Sequence, residues 1–216
     1  MPTPPSSPPP SATGSDVLTY KYDLSRSGLN PTESTLTPAN VAPATFGLLR
    51  VLSVDGKVDA QPLYVTNVAV AGAPHNAVIV ATEHDSVYAF DSATGASLWK
   101  VSLLASGEVS SDTHGCGQIT PEIGITSTPV IDRGAGSHGT VFAVAMSKDA
   151  SSAYHQRLHA LSIAAGAEAT NSPVEISSSS VTFPGNCEGG TTNTFNTLTE
   201  NQRPGLALIN GIVYVG

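Results

Sequence analysis

The chain has 216 residues, of which 40% are hydrophobic and only 12% are charged, and its formal net charge is −8. This hydrophobic share is enough for a packed core, and the scarcity of Glu, Lys and Arg favours strands and turns over surface helices. The acidic balance argues against nucleic acids as partners, because binding them depends on neutralising phosphates. No apolar run approaches the roughly 20 residues that cross a bilayer, so we expect no membrane span.

Residues 1–16 are rich in proline and serine and offer little to bury, which predicts a disordered leader. They have neither the positively charged start nor the apolar stretch of a secretory signal. The chain as given is therefore not predicted to begin with a signal peptide.

After the leader, short segments rich in Val, Ile, Tyr and Phe end at Gly, Pro, Asn or Asp, as strands joined by turns do. The predicted strands are Leu63–Val65, Ala77–Thr82, Ser86–Asp91, Ser97–Val101, Ser127–Ile131, Thr140–Ser147, Arg157–Ser162, Gly205–Ile209 and Ile212–Val215. In VIVA (78–81) and VYAF (87–90) both alternating sets of residues are apolar, so we expect sheets with both faces covered.

These strands recur as a unit along the chain. QPLYV (61–65) is followed by two apolar strands and a glycine, TPVID (128–132) by the same series, and RPGLAL (203–208) opens a third copy. Repeated four-stranded antiparallel units with two apolar faces are typical of the blades of a β-propeller. A β-sandwich, the structural alternative, predicts neither the repeat nor the doubly apolar strands.

Residues 86–99, SVYAFDSATGASLW, carry the best-preserved hairpin of the repeat. We expect the Asp to accept hydrogen bonds from the turn, the Gly to supply a positive φ, and the Trp to fill the wedge between blades. The stretch resembles the repeat of quinoprotein-like propellers, the pyrroloquinoline-quinone (PQQ) repeat, Ala-x-Asp-x-x-Thr-Gly-x-x-x-Trp. It matches that pattern at Ala89, Asp91, Thr94, Gly95 and Trp99.

The resemblance implies an all-β, quinoprotein alcohol dehydrogenase-like fold, a partial β-propeller with about two and a half of the seven or eight blades of such a ring. The expected boundaries are an entry strand at 17–59, a blade at 60–101, a loop at 102–125, a blade at 126–170, a loop at 171–202 and a truncated blade at 203–216. It also implies an extracytoplasmic location and that the chain is a fragment of a longer protein. In enzyme members of the family, PQQ and calcium lie on the ring axis, but no residue here identifies a site for either.

The sequence SSDTHGCGQITPEIG, in the first long loop, contains the candidates for chemistry, because loops on a rigid scaffold often carry sites. Asp112, His114 and Glu122 have the right atoms for a metal or catalytic site, although His-x-Cys is a weak spacing signal. A purely structural loop is the favoured alternative.

Cys116 and Cys187 each precede a proline-led strand, so neighbouring blades would present them on the same side of the ring. We predict a disulfide between them in preference to two free thiols, which would indicate an oxidising compartment.

Other polar residues are weaker candidates. His155 and His159 lie four residues apart, a spacing that on a strand separates two side chains by about 13 Å, which is not the spacing of a helical metal site. His84 and Asp85 occupy a short turn, and Glu83, Asp55 and Asp59 fit no calcium-loop template.

Three functions follow. The favoured one is a non-catalytic propeller scaffold that presents loops to a protein, a carbohydrate or a small ligand, because fold alone does not specify chemistry and no catalytic set can be identified. The alternatives are part of a PQQ- and calcium-dependent alcohol or sugar dehydrogenase, and a propeller module of a multidomain protein. Catalytic residues, cofactor-binding residues and the oligomeric state stay unassigned.

Overall fold

The structure is a computed structural model that describes residues 15–177, 182–184 and 192–216. Within these ranges the chain is all-β, with thirteen strands and no helix. The strands are β1 (Leu63–Val70), β2 (Ala73–Ala81), β3 (Ser86–Asp91), β4 (Ser97–Ser102), β5 (Val109–Ser110), β6 (Val130–Asp132), β7 (Thr140–Lys148), β8 (Tyr154–Ser162), β9 (Val174–Ile176), β10 (Thr182–Pro184), β11 (Thr192–Thr194), β12 (Ala207–Ile209) and β13 (Ile212–Tyr214). The part of the chain that the structure describes contains no helix long and apolar enough to cross a membrane.

The first sheet has four antiparallel strands in the order β1-β2-β3-β4. Strands β1 and β2 are longer than the sequence predicts, because they continue to a tight hairpin at Ala71 and Gly72, both with positive φ. The register shifts between Val65 and Val68, where Asn67 also has a positive φ. This irregularity interrupts the apolar pattern that strand prediction depends on.

The second sheet is built around β7, which pairs with β8 on one edge and with both β5 and β6 on the other. Strand β9 pairs with β8 and completes the sheet. Strands β10 and β11 form a separate hairpin, as do β12 and β13. The sequence pattern missed β5, β9, β10 and β11, all of which have only two or three residues.

Both faces of the first sheet are covered, as the doubly apolar strands predict. Along β2 and β3, one alternating set of side chains enters the core shared with the second sheet: Ala77, Ile79, Ala81, Val87 and Ala89. The other set packs beneath Leu52 and Val54 and consists of Val78, Val80, Tyr88 and Phe90.

The second sheet is likewise covered on both faces. Val141, Ala143 and Ala145 of β7 belong to the core shared with the first sheet. Phe142 and Val144 point to the opposite face, where they pack with Leu206, Leu208 and Val213 at the β12–β13 hairpin. The three successive units therefore stack face to face in chain order.

Residues 17–59 differ from the expected entry strand. The segment's one ladder contact with a described residue is a single bridge between Val17 and Tyr64, and the rest of the segment consists of turns and irregular backbone. Positive φ angles at Lys21, Tyr22 and Arg26 are incompatible with a continuous strand. Of the predicted disordered leader, residues 1–14 lie outside the described residues.

The β3–β4 turn has the hydrogen bonds that its sequence predicts. Asp91 Oδ1 accepts from the backbone N–H and the hydroxyl of Thr94, both at 2.7 Å, and Gly95 has a φ of 76°. Asp91 Oδ2 lies 2.8 Å from His75 Nδ1. This contact and the Thr94 bonds together hold the pKa of Asp91 at about 2.

Trp99 joins the first sheet to the second. Its indole N–H donates to the carbonyl of Ile163 at 3.0 Å, and its ring lies on Gly166 in the β8–β9 connection. A Cβ at Gly166 would lie 2.7 Å from Trp99 Cε3, and Gly166 has a φ of +65°. Only glycine fits this contact without displacing the ring.

We predict that Gly166→Ala destabilises the fold more than Gly72→Ala. Gly72 also has a positive φ, of +83°, but an added Cβ there has no neighbour within 4 Å, so its replacement costs only the backbone strain, about 1 kcal/mol. Gly166→Ala should cost at least about 1 kcal/mol more, because the Trp99 ring must move. Urea unfolding measures both variants, and equal losses would contradict the contact. In a Trp99→Leu background the extra loss should shrink.

Candidate functional site

Four connecting segments meet at one end of the stacked sheets, which we call the loop end. Because neighbouring strands are antiparallel, the short β1–β2 and β3–β4 turns lie at the opposite end. The loop end contains residues 82–85, 103–129, 149–153 and 195–206. Most of the candidates from the sequence are in these segments.

Glu83 lies at the centre of the contact between the first sheet and the loop that leads to β6. Its Oε2 accepts from the N–H of Gly124 at 2.8 Å and from the hydroxyl of Thr126 at 3.0 Å. Its Oε1 has no hydrogen-bond partner among the described residues, and the residue is 0% exposed. Burial, reinforced by the neighbouring Asp59 carboxyl, raises the pKa of Glu83 to about 7, although the hydrogen bonds from Gly124 and Thr126 lower it.

Asp85 is a second buried acid in the same turn. It is 0% exposed, and neither of its side-chain oxygens completes a hydrogen bond with a described residue. Burial raises its pKa well above the ordinary value; the nearby Ser110 hydroxyl lowers it only in part, while Glu83 and Glu122 add repulsion. Folding therefore shifts the protonation equilibrium of both turn acids towards the protonated form.

Gly124 allows the loop to approach these acids closely. A Cβ at this position would lie 2.3 Å from the carbonyl oxygen of Glu83 and 2.9 Å from Asp85 Cγ. Gln202 holds the other side of the loop, since its Oε1 accepts from Ser127 N–H at 2.9 Å and its Nε2 donates to Gly124 O at 3.1 Å. All three units are thus joined by buried polar side chains.

The structure brings Asp112 and His114 together. Asp112 bonds Lys148 Nζ at 2.6 Å, Tyr154 OH at 2.9 Å and His114 Nδ1 at 3.0 Å. Lys148 and Tyr154 lower the pKa of Asp112. The other ring nitrogen of His114 lies 2.9 Å from Ser111 Oγ.

Glu122, the third weak candidate, does not join this pair. Its Oε1 lies 2.9 Å from Nδ1 of the exposed His84. The described residues contain no group of three or more His, Cys, Asp or Glu side chains that could hold a metal ion. We therefore assign no described residue to a calcium ion or to a quinone.

Cys116 lines a pocket of about 490 Å³ at the loop end. The pocket lies between residues 113–123 and 198–203, and its walls are Thr113, His114, Cys116, Ile123, Met146, Leu198, Thr199, Asn201 and Arg203. The backbone amides of Gln118 and Ile119, together with the charges of Arg203 and Lys57, lower the pKa of the Cys116 thiol. Cys187 lies outside the described residues, so its disulfide with Cys116 stays a prediction.

Sequence reasoning missed Arg203, Asn201 and Met146 as pocket residues. Arg203 and Asn201 are distant from His114 in the chain and lie near it because the third unit stacks on the second. Met146 lies on β7, and the pairing of β5 with β7 brings it to the same loop. The repeat does place Arg203 at a defined position: it directly precedes the proline that opens the third unit, as Thr128 directly precedes the proline that opens the second.

The two histidines of β8 bind separate partners. His155 Nδ1 lies 3.0 Å from Glu175 Oε1, and His159 Nδ1 lies 2.9 Å from Glu168 Oε2. Arg157, between them, makes two bonds of 2.8 Å to the carboxylate of Glu108 and thereby lowers the pKa of Glu108 to about 2.

Comparisons with models of protein families, with curated proteins and with solved structures find no match to this chain. The resemblance to the PQQ repeat is therefore supported only by the motif at residues 89–99.

We predict that Glu83→Gln stabilises the protein at pH 8 but not at pH 4.5. The pKa of Glu83 is about 7 in the folded chain and near its ordinary 4.5 in the unfolded chain, so folding takes up a proton between these values. Stability therefore falls as pH rises through this window, by about 3 kcal/mol for this group. Glutamine resembles the protonated acid and does not lose this contribution.

Glu108→Gln is the contrasting control. Because the pKa of Glu108 is lowered to about 2, its contribution is present above pH 4.5 and is lost as pH falls towards 2. This variant should be less stable than wild type at pH 8, and the deficit should narrow in acid. Urea unfolding at several pH values measures both. A Glu83→Gln variant no more stable than wild type at pH 8 would refute the buried-acid assignment.

Proposed function

We propose that the chain is part of a quinoprotein-like β-propeller and that it serves as a non-catalytic scaffold, binding a small ligand at its loop end. In this proposal the first sheet is one blade, β6–β9 form the next, and β12–β13 begin a third. The pocket lined by Cys116 and Arg203 is the binding site.

The stacking of the units supports the propeller assignment. Each unit opens with a proline-led segment, and neighbouring units share a core through the alternating faces of their strands. Blades of a propeller pack in this manner because each sheet is covered by the sheets before and after it. Trp99 lies at one such boundary, as the PQQ-repeat motif would place it.

The pocket is the observation on which the binding function depends. Its volume of about 490 Å³ is within the range of small-molecule sites, and Ile123, Met146 and Leu198 give it an apolar wall. Arg203 and Asn201 add polar groups that can fix the orientation of a ligand. Arg203 has no carboxylate partner in the described part of the chain and donates to Gln118 Oε1 at 3.3 Å.

The state of His114 favours binding over catalysis. His114 Nδ1 lies 3.0 Å from Asp112 and its Nε2 lies 2.9 Å from Ser111 Oγ, the same order of contacts as in a Ser-His-Asp triad. Ser111, however, is 0% exposed, and its hydroxyl donates to the carbonyl of Asp112 at 3.0 Å, so it does not face a ligand as a nucleophile would. In the pocket wall His114 packs against Tyr154, whose ring centroid is 4.7 Å away.

Thr199→Trp tests this proposal, because Thr199 is exposed and lines the pocket, so an indole there should fill the pocket without disturbing the core. Wild-type protein is screened on a glycan array and, by thermal shift, against a panel of small organic acids, sugars and alcohols. Ligands found for wild type should bind Thr199→Trp with an affinity that is lower by about tenfold or more. Thr37→Trp, at an exposed threonine outside the pocket, should bind them as wild type does. The proposal fails if neither screen finds a ligand or if the ligands bind Thr199→Trp equally well.

A further inference from the structure

Residues 16–26, which we call the strap, cross the beginnings of all three stacked units. Val17 pairs with Tyr64 of β1, and the Leu18 carbonyl accepts from the N–H of Ile131 in β6 at 2.9 Å. The Thr19 hydroxyl lies 3.4 Å from the carbonyl of Leu206, just before β12. Three consecutive strap residues, 17–19, thus reach three units that follow one another in the chain.

The surface beneath the strap consists of strand edges that the sheets leave unpaired. Among the strands that the structure describes, β1 pairs only with β2 and β6 only with β7, so each has one edge without a partner strand. The strap bonds to the first edge at one residue pair, with two hydrogen bonds between Val17 and Tyr64 of 2.8 and 3.0 Å. This is the geometry by which an extended peptide adds to an exposed sheet edge.

Arg26 fastens the end of the strap to the third unit. Its guanidinium donates to the carbonyls of Gly205 and Leu206 at 3.0 and 3.1 Å, and to the strap's own Thr19 hydroxyl at 2.9 Å. No carboxylate pairs with Arg26 among the described residues, so backbone carbonyls alone satisfy its charge across the interface. Charge-assisted bonds of this kind are stronger than those between neutral groups.

Asp16 fastens the opposite end to the first two units. Its Oδ1 accepts from the N–H and the hydroxyl of Thr66, both at 2.7 Å, and its Oδ2 lies 3.3 Å from Arg133 Nε. A positive φ at Lys21, Tyr22 and Arg26 costs backbone energy, which the surrounding contacts must offset. The strap is therefore held by specific contacts along its length and not by local preference.

The receiving surface is shaped for close approach. A Cβ at Gly205 would lie 2.7 Å from Tyr20 Cβ, so the strap backbone comes nearer to the third unit than a side chain there would allow. From residue 27 to residue 49 the chain is mostly exposed, so the strap is linked to the body by a segment that contributes little packing.

We propose that the strap is an intramolecular peptide ligand, and that the edges of β1 and β6 together with residues 205–206 form a peptide-binding surface that recognises its backbone and Arg26. The partner class of this surface is a peptide that is extended where it bonds the two strand edges and turns beyond them, with an acid at one end and an arginine near the other. The inference does not depend on the loop-end pocket or on its ligand.

The test separates the strap from the body without removing it. A protease recognition sequence is inserted between Gly47 and Leu48, which are both exposed, and the purified full chain is cut there. The released N-terminal piece should co-elute with the body in size exclusion. A fluorescent peptide of residues 15–29 should exchange with it, as followed by anisotropy.

Two competitor peptides of equal charge test the role of Arg26. The Arg26→Gln peptide loses the bonds to Gly205 and Leu206, so its affinity should be lower than that of the unmodified peptide by about tenfold or more. Lys21→Gln should compete as well as the unmodified peptide, since the Lys21 ammonium only lies over the Tyr20 ring. Dissociation of the strap after cutting, or equal competition by the two variants, would overturn the proposal.

Hydrogen exchange on the uncut chain gives a second measurement that needs no insertion. The backbone N–H groups of Tyr64 and Ile131 donate to the strap carbonyls of Val17 and Leu18. Arg26→Gln should speed their exchange at least about tenfold relative to Lys21→Gln, while the amide of Leu206, which donates to Thr128, stays protected. Unchanged protection in Arg26→Gln would also refute the proposal.

Discussion

Strands that are apolar on both faces impose the constraint on which this structure depends. Val80 and Ala81 are neighbours in β2, yet they enter different cores, so neither side of the sheet can face water. The units must therefore stack, and the second sheet lies between the first sheet and the β12–β13 hairpin. Hydrophobic burial supplies the driving force, and the alternation of side chains along each strand sets which neighbour each residue contacts.

Stacking then requires polar side chains in buried places. The chain that leads from the first sheet to β6 crosses between two units, and its amides at Gly124 and Ser127 need acceptors away from water. Glu83 and Gln202 supply them from the first and third units. The cost is a carboxyl whose pKa rises to about 7, because burial disfavours its charge more strongly than two donors favour it.

The edges of the stacked sheets create a second requirement. Free strand edges expose unpaired amides and carbonyls that can bind any extended chain. In this protein the edges of β1 and β6 are occupied by Val17 and Leu18 of the chain's own N-terminal segment. The same segment reaches the third unit through Arg26, so it spans both of the interfaces that the cores create. Edge protection and cohesion between units thus come from one stretch of backbone.

The sequence by itself determined the all-β class, the apolar hairpins and the β3–β4 turn. These depend on local spacing and turn chemistry, and Asp91, Thr94 and Gly95 contact one another within a few residues. Tertiary structure alone decided the short strands β5 and β9, the irregular path of residues 17–59, and the place of Arg203 in the pocket beside His114. The partners of β5, of β9, of Val17 and of Arg203 are distant in the chain, and only packing of whole sheets brings them within bonding distance, which no local pattern encodes.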